Sequence, residues 1–179
     1  MLLFPKENIP STMSIVDMAI LSNLQQLVNY IGSLGLVLVE ETEHSRPDWE
    51  SWINMTSRRR AIFILYLIHW ALSAYYGLPS FDCQELKYML APAPKPLWQA
   101  ENRDEWESQY SQWLVEWEGL EYLHGEIAEI GECILMDARS DRWLRDADEM
   151  GLLVMALGEI IDSERKKDQE LTAPVNAVD

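Results

Sequence analysis

The chain is short of cysteine, histidine, glycine and positive charge, and each shortage closes off a class of function. Its 179 residues include two cysteines, Cys83 and Cys133, with no Cys-x-x-Cys pair and no histidine cluster near them. A structural zinc needs about four well-spaced ligands, so no metal site is expected. Two isolated thiols fit a reduced intracellular compartment better than a disulfide framework. The glycines form no phosphate-binding loop, and neither Gly-x-Ser-x-Gly nor His-Glu-x-x-His occurs. No motif is left for nucleotide, acyl-transfer or metalloprotease chemistry, so no catalytic residue, no cofactor and no enzyme is predicted. With 14 basic side chains against 30 acidic ones, the formal charge is -16. Such a surface repels phosphate backbones, which argues against direct nucleic-acid binding. The apolar run in Met1 to Lys6 is too short for a secretory signal.

What the chain does have is apolar surface with helical spacing. Nearly half of its residues are hydrophobic and eight are Trp, a globular composition. Residues 1–13 hold two prolines and no periodicity and read as an irregular lead-in. Ser14-Ile15-Val16-Asp17 is a capping signal, followed by Ile15, Met18, Ala19, Leu24, Leu27, Val28 and Ile31 on one stripe until Gly32 and Gly35. Leu36 to Val39 is read as a helical turn, because no other segment offers a strand partner. Ser45-Arg46-Pro47-Asp48 starts the next helix, with the proline expected in its first turn. It runs without Pro or Gly to Tyr76, about thirty residues or about 45 Å. Its second half is apolar all round, the signature of a helix central to a bundle. Gly77 and Pro79 stop it.

A short helix led by Asp82-Cys83-Gln84-Glu85 follows, then an extended loop holding Pro92, Pro94 and Pro96. Asn102 caps a helix with Trp106, Tyr110, Trp113, Leu114 and Trp117 on one face. Gly119 is expected to end it. A further helix carries Leu120, Leu123, Ile127, Ile130, Ile134 and Leu135. The last begins at Ser140 or Asp141 and continues through Trp143, Met150 and Leu157 to Ile161. The chain then turns polar, and 163–179 read as a tail. The fold class is therefore all-α: a single helical bundle, 14–162, of about six or seven helices with a long central helix.

One ordered set of motifs goes further. Trp49-x-x-Trp52, Arg58-Arg59-Arg60, an apolar helix, Leu78-Pro79, Glu85-Leu86, Leu97-Trp98-Gln99-Ala100 and Trp143 to Glu149 follow one another. Their order resembles the C-terminal part of the regulatory domain of fungal binuclear zinc-cluster transcription factors, over roughly Trp49 to Leu157. The resemblance implies an all-helical regulatory domain, a nuclear location, control of a metabolic or secondary-metabolite gene cluster, and protein partners in the transcription machinery or among related regulators. It also implies that DNA contact belongs to a six-cysteine module that these residues do not contain. At two positions the chain departs from that pattern. Thr56 stands where the family has a Glu able to pair with Arg59 or Arg60, and His69 stands where an Asp is common.

Rival readings rest on fewer residues. A non-DNA-binding interaction module or decoy, pairing through an exposed helix face, needs no further motif. A small-molecule effector between the helices is compatible with the same domain. The uncharged stretch Ala61 to Leu78, flanked by Arg58, Arg59 and Arg60, is about as long as a membrane span requires. His69, Ser73 and Gly77 interrupt it, and the other apolar helices suffice to bury it. Of the three histidines, His44, His69 and His124, His69 reads as a core histidine. Glu121, His124 and Glu126 read as a solvated face, since Glu-x-x-His occurs once and a carboxylate-bridged di-metal site needs it on two helices. The ten acidic residues between Glu101 and Glu132 read as surface acidity. One consequence is directly measurable. The purified chain is expected not to bind duplex DNA at physiological salt, and salt-sensitive binding tighter than about 1 μM in an anisotropy titration contradicts the assignment.

Overall fold

Side-chain caps set most of the helix starts. In the computed structural model, which describes residues 13–78, 84–117, 121–130 and 137–156, Ser14 and Asp17 close a reciprocal capping box. Asp17 N–H donates to Ser14 Oγ at 3.1 Å and Ser14 N–H to the Asp17 carboxylate at 3.3 Å, and helix α1 runs Ile15–Ser33. The turn after it holds Gly35 at φ +87°, a left-handed conformation open to glycine. Leu36 to Leu38 is not helical; helix α2, Val39–Thr42, begins one residue later and is a single turn. Asp48 then accepts from Ser51 N–H at 3.1 Å and opens α3, Trp49–Tyr76. Pro47 therefore precedes the cap instead of occupying the first turn. At 28 residues α3 is about 42 Å long, and Gly77, at φ +65°, ends it in a left-handed cap.

The second half of the chain wraps the first half of α3. A 3-10 turn, Gln84–Tyr88, leads to Leu90, which pairs with Leu123 in an isolated antiparallel bridge; Ala91 N–H donates to Tyr122 O at 2.7 Å and His124 N–H to Met89 O at 2.9 Å. Leu123 thus belongs to a strand-like contact that periodicity assigned to a helix. Pro96 sits in the first turn of a short helix, α4, Lys95–Trp98, where its missing N–H costs nothing, and so is not part of an extended loop. Asn102 accepts from Glu105 N–H at 2.9 Å and opens α5, Arg103–Glu116. This helix ends at Glu116, with Trp117 already extended, ahead of Gly119. Helix α6 is His124–Ile130.

The expected last helix is two. Asp137, not Ser140 or Asp141, caps α7, Ala138–Asp146. Ala147 turns the chain, and Asp148 accepts from Gly151 N–H at 2.9 Å to cap a helical segment over 149–156. A Cβ on Gly151 would lie 3.2 Å from the Trp143 ring, a tight contact that the ring would have to relieve by a few tenths of an ångström. The class is all-α, and no strand occurs among the described residues. Residues 1–12, the tail 163–179, Asp82, Cys83, Cys133, Ile134, Leu135, and 157–162 lie outside the described residues.

Two aromatic clusters form the core. Trp52, Leu97, Trp106 and Tyr110 make one; Phe63, Trp117, Tyr122, Ile127, Trp143 and Val154 make the other, and Trp113 packs against both. The buried α3 residues in this core, Trp52 and Phe63, lie within its first fifteen positions. Beyond Phe63 only Ser73 is buried, while Ile64, Ile68 and Tyr75 are exposed. The helix is thus central over part of its length only. Helix α1 lies antiparallel against α3, with Arg58 Nη1 donating to Leu34 O at 3.2 Å near one end and Asp17 meeting Tyr76 at the other. None of its residues is buried, contrary to the core stripe expected there. No helix among the described residues is long and apolar enough to cross a membrane. A window of 18 residues ending at Tyr76 already includes Arg59 and Arg60.

Ion pairs pin this frame. Arg59 is buried and donates Nη1 to Glu41 Oε1 at 2.9 Å and Nε to Leu36 O at 2.7 Å, while Nη2 pairs with the other Glu41 oxygen. That oxygen also accepts from Leu38 N–H at 2.9 Å. Arg60 pairs with buried Asp148 and lies 3.8 Å above the Trp98 ring. The partners that Thr56 fails to supply thus come from α2 and from the segment after α7. Removing one member of a buried pair leaves the other charge uncompensated. Arg59→Ala is therefore expected to lower the unfolding free energy by about 3–5 kcal/mol, and Arg58→Ala, which loses one exposed contact, by about 1 kcal/mol or less. Urea denaturation of the two variants tests this ranking.

Candidate functional site

A cavity of about 40 Å³, counted as room for the centre of a water-sized sphere, lies where the two clusters meet. It is partly open to solvent. Helix α5 places Tyr110 and Trp113 on it, because positions i and i+3 share a helix face, and Trp117, the residue that follows its last turn, lines it too. Trp113 and Trp117 are near parallel at 6.2 Å and 12°. Tyr122, leaving the loop before α6, stands on edge to Trp117 at 6.4 Å and 82°, and stacks on Trp143 of α7 at 5.8 Å and 17°. The Tyr122 hydroxyl lies 2.8 Å from Ser140 Oγ, which donates to Asp137 at 2.7 Å, so the ring is held at both ends. Trp52, Leu97 and the Ala91-Pro92-Ala93-Pro94 segment complete the wall.

Four charged side chains line the same cavity: Glu41, Arg59, Glu121 and Asp146. Glu41 and Arg59 neutralise one another in the pair described above. No described side chain hydrogen-bonds or ion-pairs with the carboxylates of Glu121 and Asp146. Burial, reinforced by the Glu41 charge and opposed by Arg59, pushes the Glu121 carboxyl up to about 8. Burial also raises Asp146, against the attraction of Arg145 and Arg142. Tyr110 is raised by burial and by Glu121. The cavity therefore combines aromatic rings with two carboxylates that no described side chain ion-pairs, while Arg139 lies over Tyr122 at 4.7 Å and over Trp117 at 5.9 Å from the ring centres.

Glu121 and His124 do not form a solvated face. Glu121 precedes α6 and turns into the cavity, whereas His124 packs on Phe63 with ring centroids 5.3 Å apart. Burial, with Arg59 nearby, lowers His124 to about 4, so it is neutral at pH 7. Glu126 is tied to Arg139 and accepts from Leu123 N–H at 2.7 Å. His69 lies 3.5 Å from Ser73 Oγ and is lowered by burial. His44 Nε2 lies 3.1 Å from Leu114 O. Among the described residues no group of three or more His, Cys, Asp or Glu is placed to hold a metal. The cavity itself was not foreseen from sequence. Its one available signal was Glu121 amid Trp117 and Tyr122, a carboxylate inside an aromatic run.

Set against known proteins, the chain matches no family model, no characterised protein and no solved structure.

The shifted groups give stability a defined pH dependence. Glu121 rises from its usual 4.5 to about 8 on folding, so the folded state holds its proton where the unfolded chain has lost it. Stability then falls as pH rises from about 4.5 to about 8. His124 acts in the opposite sense, but only between about 4 and 6.5. From pH 6.5 to 8 the Glu121 effect stands alone, and urea midpoints are expected to report a loss of about 1–2 kcal/mol over that range. Glu121→Gln flattens this slope and is expected to be the more stable protein at pH 8.

Proposed function

We propose that the chain is an effector-responsive regulatory domain of the fungal zinc-cluster transcription-factor type, acting in the nucleus through protein partners. The observation that carries this reading is where the motif residues go. Trp52, Arg59, Arg60, Leu97, Trp98, Trp143 and Asp148, which carry the resemblance, are also among the residues that build the aromatic clusters and the ion pairs between segments. A shared order of motifs has a physical reason to persist when it encodes one packed frame. The cavity at the centre of that frame supplies a place for an effector. The charge of -16 and the two cysteines of these residues leave the reading of DNA to another module.

A second reading, a protein-interaction module that pairs with a related regulator, draws on α1. Ile15, Val16, Met18, Ile20, Leu27 and Tyr30 are all exposed on a helix whose main packing among the described residues is against α3, and an apolar face of this kind suits a partner surface. The first reading is tested by tethering the chain to an unrelated DNA-binding module upstream of a reporter gene. Reporter output is expected to change at least five-fold, and Arg59→Ala to abolish the change; output equal to that of the DNA-binding module alone contradicts the reading. Light scattering on the pure chain tests the second, which a monomer that fails to assemble with related regulators contradicts.

A further inference from the structure

We infer that the aromatic cavity binds a compact alkylammonium cation, held among the rings that line it, Trp113, Trp117, Tyr122 and Trp143, and by the carboxylates of Glu121 and Asp146, with which no described side chain pairs. This deepens the effector part of the proposed function and rests on it. The two can fail separately, because binding is read on the purified chain and regulation on a reporter.

Three properties of the site select the ligand. The first is charge. Of the four ionisable side chains that line it, Arg59 is already satisfied by Glu41, while Glu121 and Asp146 have no ion pair or hydrogen bond to a described side chain, Arg59 acting on the first and Arg145 and Arg142 on the second only at a distance. An anionic ligand would meet two carboxylates and a guanidinium that has nothing left to give. The second is surface. Ring faces attract a cation through their quadrupoles, and they do so best when the cation is poorly hydrated. An alkylated ammonium loses little hydration on entering, whereas a metal ion or a primary ammonium would need oxygen donors or acceptors all round it. The third is size. About 40 Å³ of cavity, at about 10–15 Å³ for each water-sized guest, is room for about three or four heavy atoms. The nitrogen and three methyl groups of a trimethylammonium head fill it, and the open side of the cavity leaves space for a fourth methyl or the tail of choline.

Proton linkage follows from the same geometry. The groups that face Glu121 are Glu41 from α2, Arg59 from α3, Tyr110 from α5 and Asp146 from α7, and Arg139 Nη2 donates to the Glu121 main-chain oxygen at 3.0 Å. A cation seated beside Glu121 favours its ionised form, so binding expels a proton. Affinity is then expected to rise about five- to ten-fold between pH 7 and pH 9 as the free protein gives up that proton unaided.

The test is a tryptophan-fluorescence titration of the purified chain, backed by calorimetry. Choline and tetramethylammonium are compared with 3,3-dimethylbutan-1-ol, the neutral isostere of choline. The expected result is saturable binding of both cations, at least ten-fold weaker binding of the isostere, and the stated rise with pH. Glu121→Gln keeps the shape of the side chain and is expected to remain folded; it should weaken choline binding at least five-fold at pH 9 and remove the pH dependence. Asp146→Asn provides an independent check, with a weaker but measurable loss. A peptide carrying trimethyl-lysine separates two sources of the same head group. Tighter binding than choline assigns the cation to a protein tail, and equal or weaker binding to a free metabolite; both support the cage. The inference is overturned if the folded wild-type chain binds neither cation at 50 mM, a screening concentration set at roughly the weak end of single-site affinities. It is equally overturned if the isostere binds as well as choline, or if Glu121→Gln binds choline as tightly as the wild type at pH 9.

Discussion

The buried pair of Arg59 and Glu41 is the contact on which the rest of the structure depends. It joins α3 to α2, fixes the turn at Leu36 to Leu38 through two further hydrogen bonds to and from main-chain atoms, and forms one wall of the cavity. A guanidinium placed there is tolerable only because its fork is matched by a carboxylate and a carbonyl. Arg60, one residue along and about 100° around the helix, performs the same service for Asp148 and the segment after α7. Two adjacent arginines on one rod thereby hold two parts of the chain that are far apart in sequence.

That arrangement also determines what is left over. Glu41 pairs with Arg59, the guanidinium on the cavity wall, so the Glu121 carboxylate, set among rings and near another carboxylate, has no ion pair of its own among the described residues. The same low-polarity surroundings that make the Arg59 pair close and specific make an unpaired Glu121 costly when ionised. The site is thus poised: it is protonated when empty near neutral pH and favours ionisation when a cation arrives. A tightly packed core has no use for such a group, which would be replaced at a gain in stability by a neutral side chain.

Local signals were legible and distant pairings were not. Ser14, Asp48 and Asn102 cap helices as their positions announce, since a cap is a matter of three or four adjacent residues. The stripe of Trp106, Tyr110, Trp113 and Trp117 is core as its spacing implies. At Thr56 the chain lacks the acidic partner that the resemblance gives Arg59 or Arg60. The carboxylates that answer, Glu41 and Asp148, lie 18 and 88 residues away, and no periodicity encodes that. Glu121 and His124 were misplaced because i, i+3 spacing presupposes one helix, whereas the bridge at Leu90 and Leu123 starts α6 only at His124. The exposed apolar faces of α1 and the end of α3 were read as core, because periodicity shows which residues share a face and says nothing of what covers it.

The measurement that bears most directly on this account is an NMR titration of the Glu121 side-chain carboxyl carbon, assigned by comparison with Glu121→Gln. An interior carboxylate without a cation of its own should titrate with a midpoint near 8, and the midpoint should move downward when tetramethylammonium is added. A midpoint near the ordinary 4.5 that the cation leaves unmoved would contradict it.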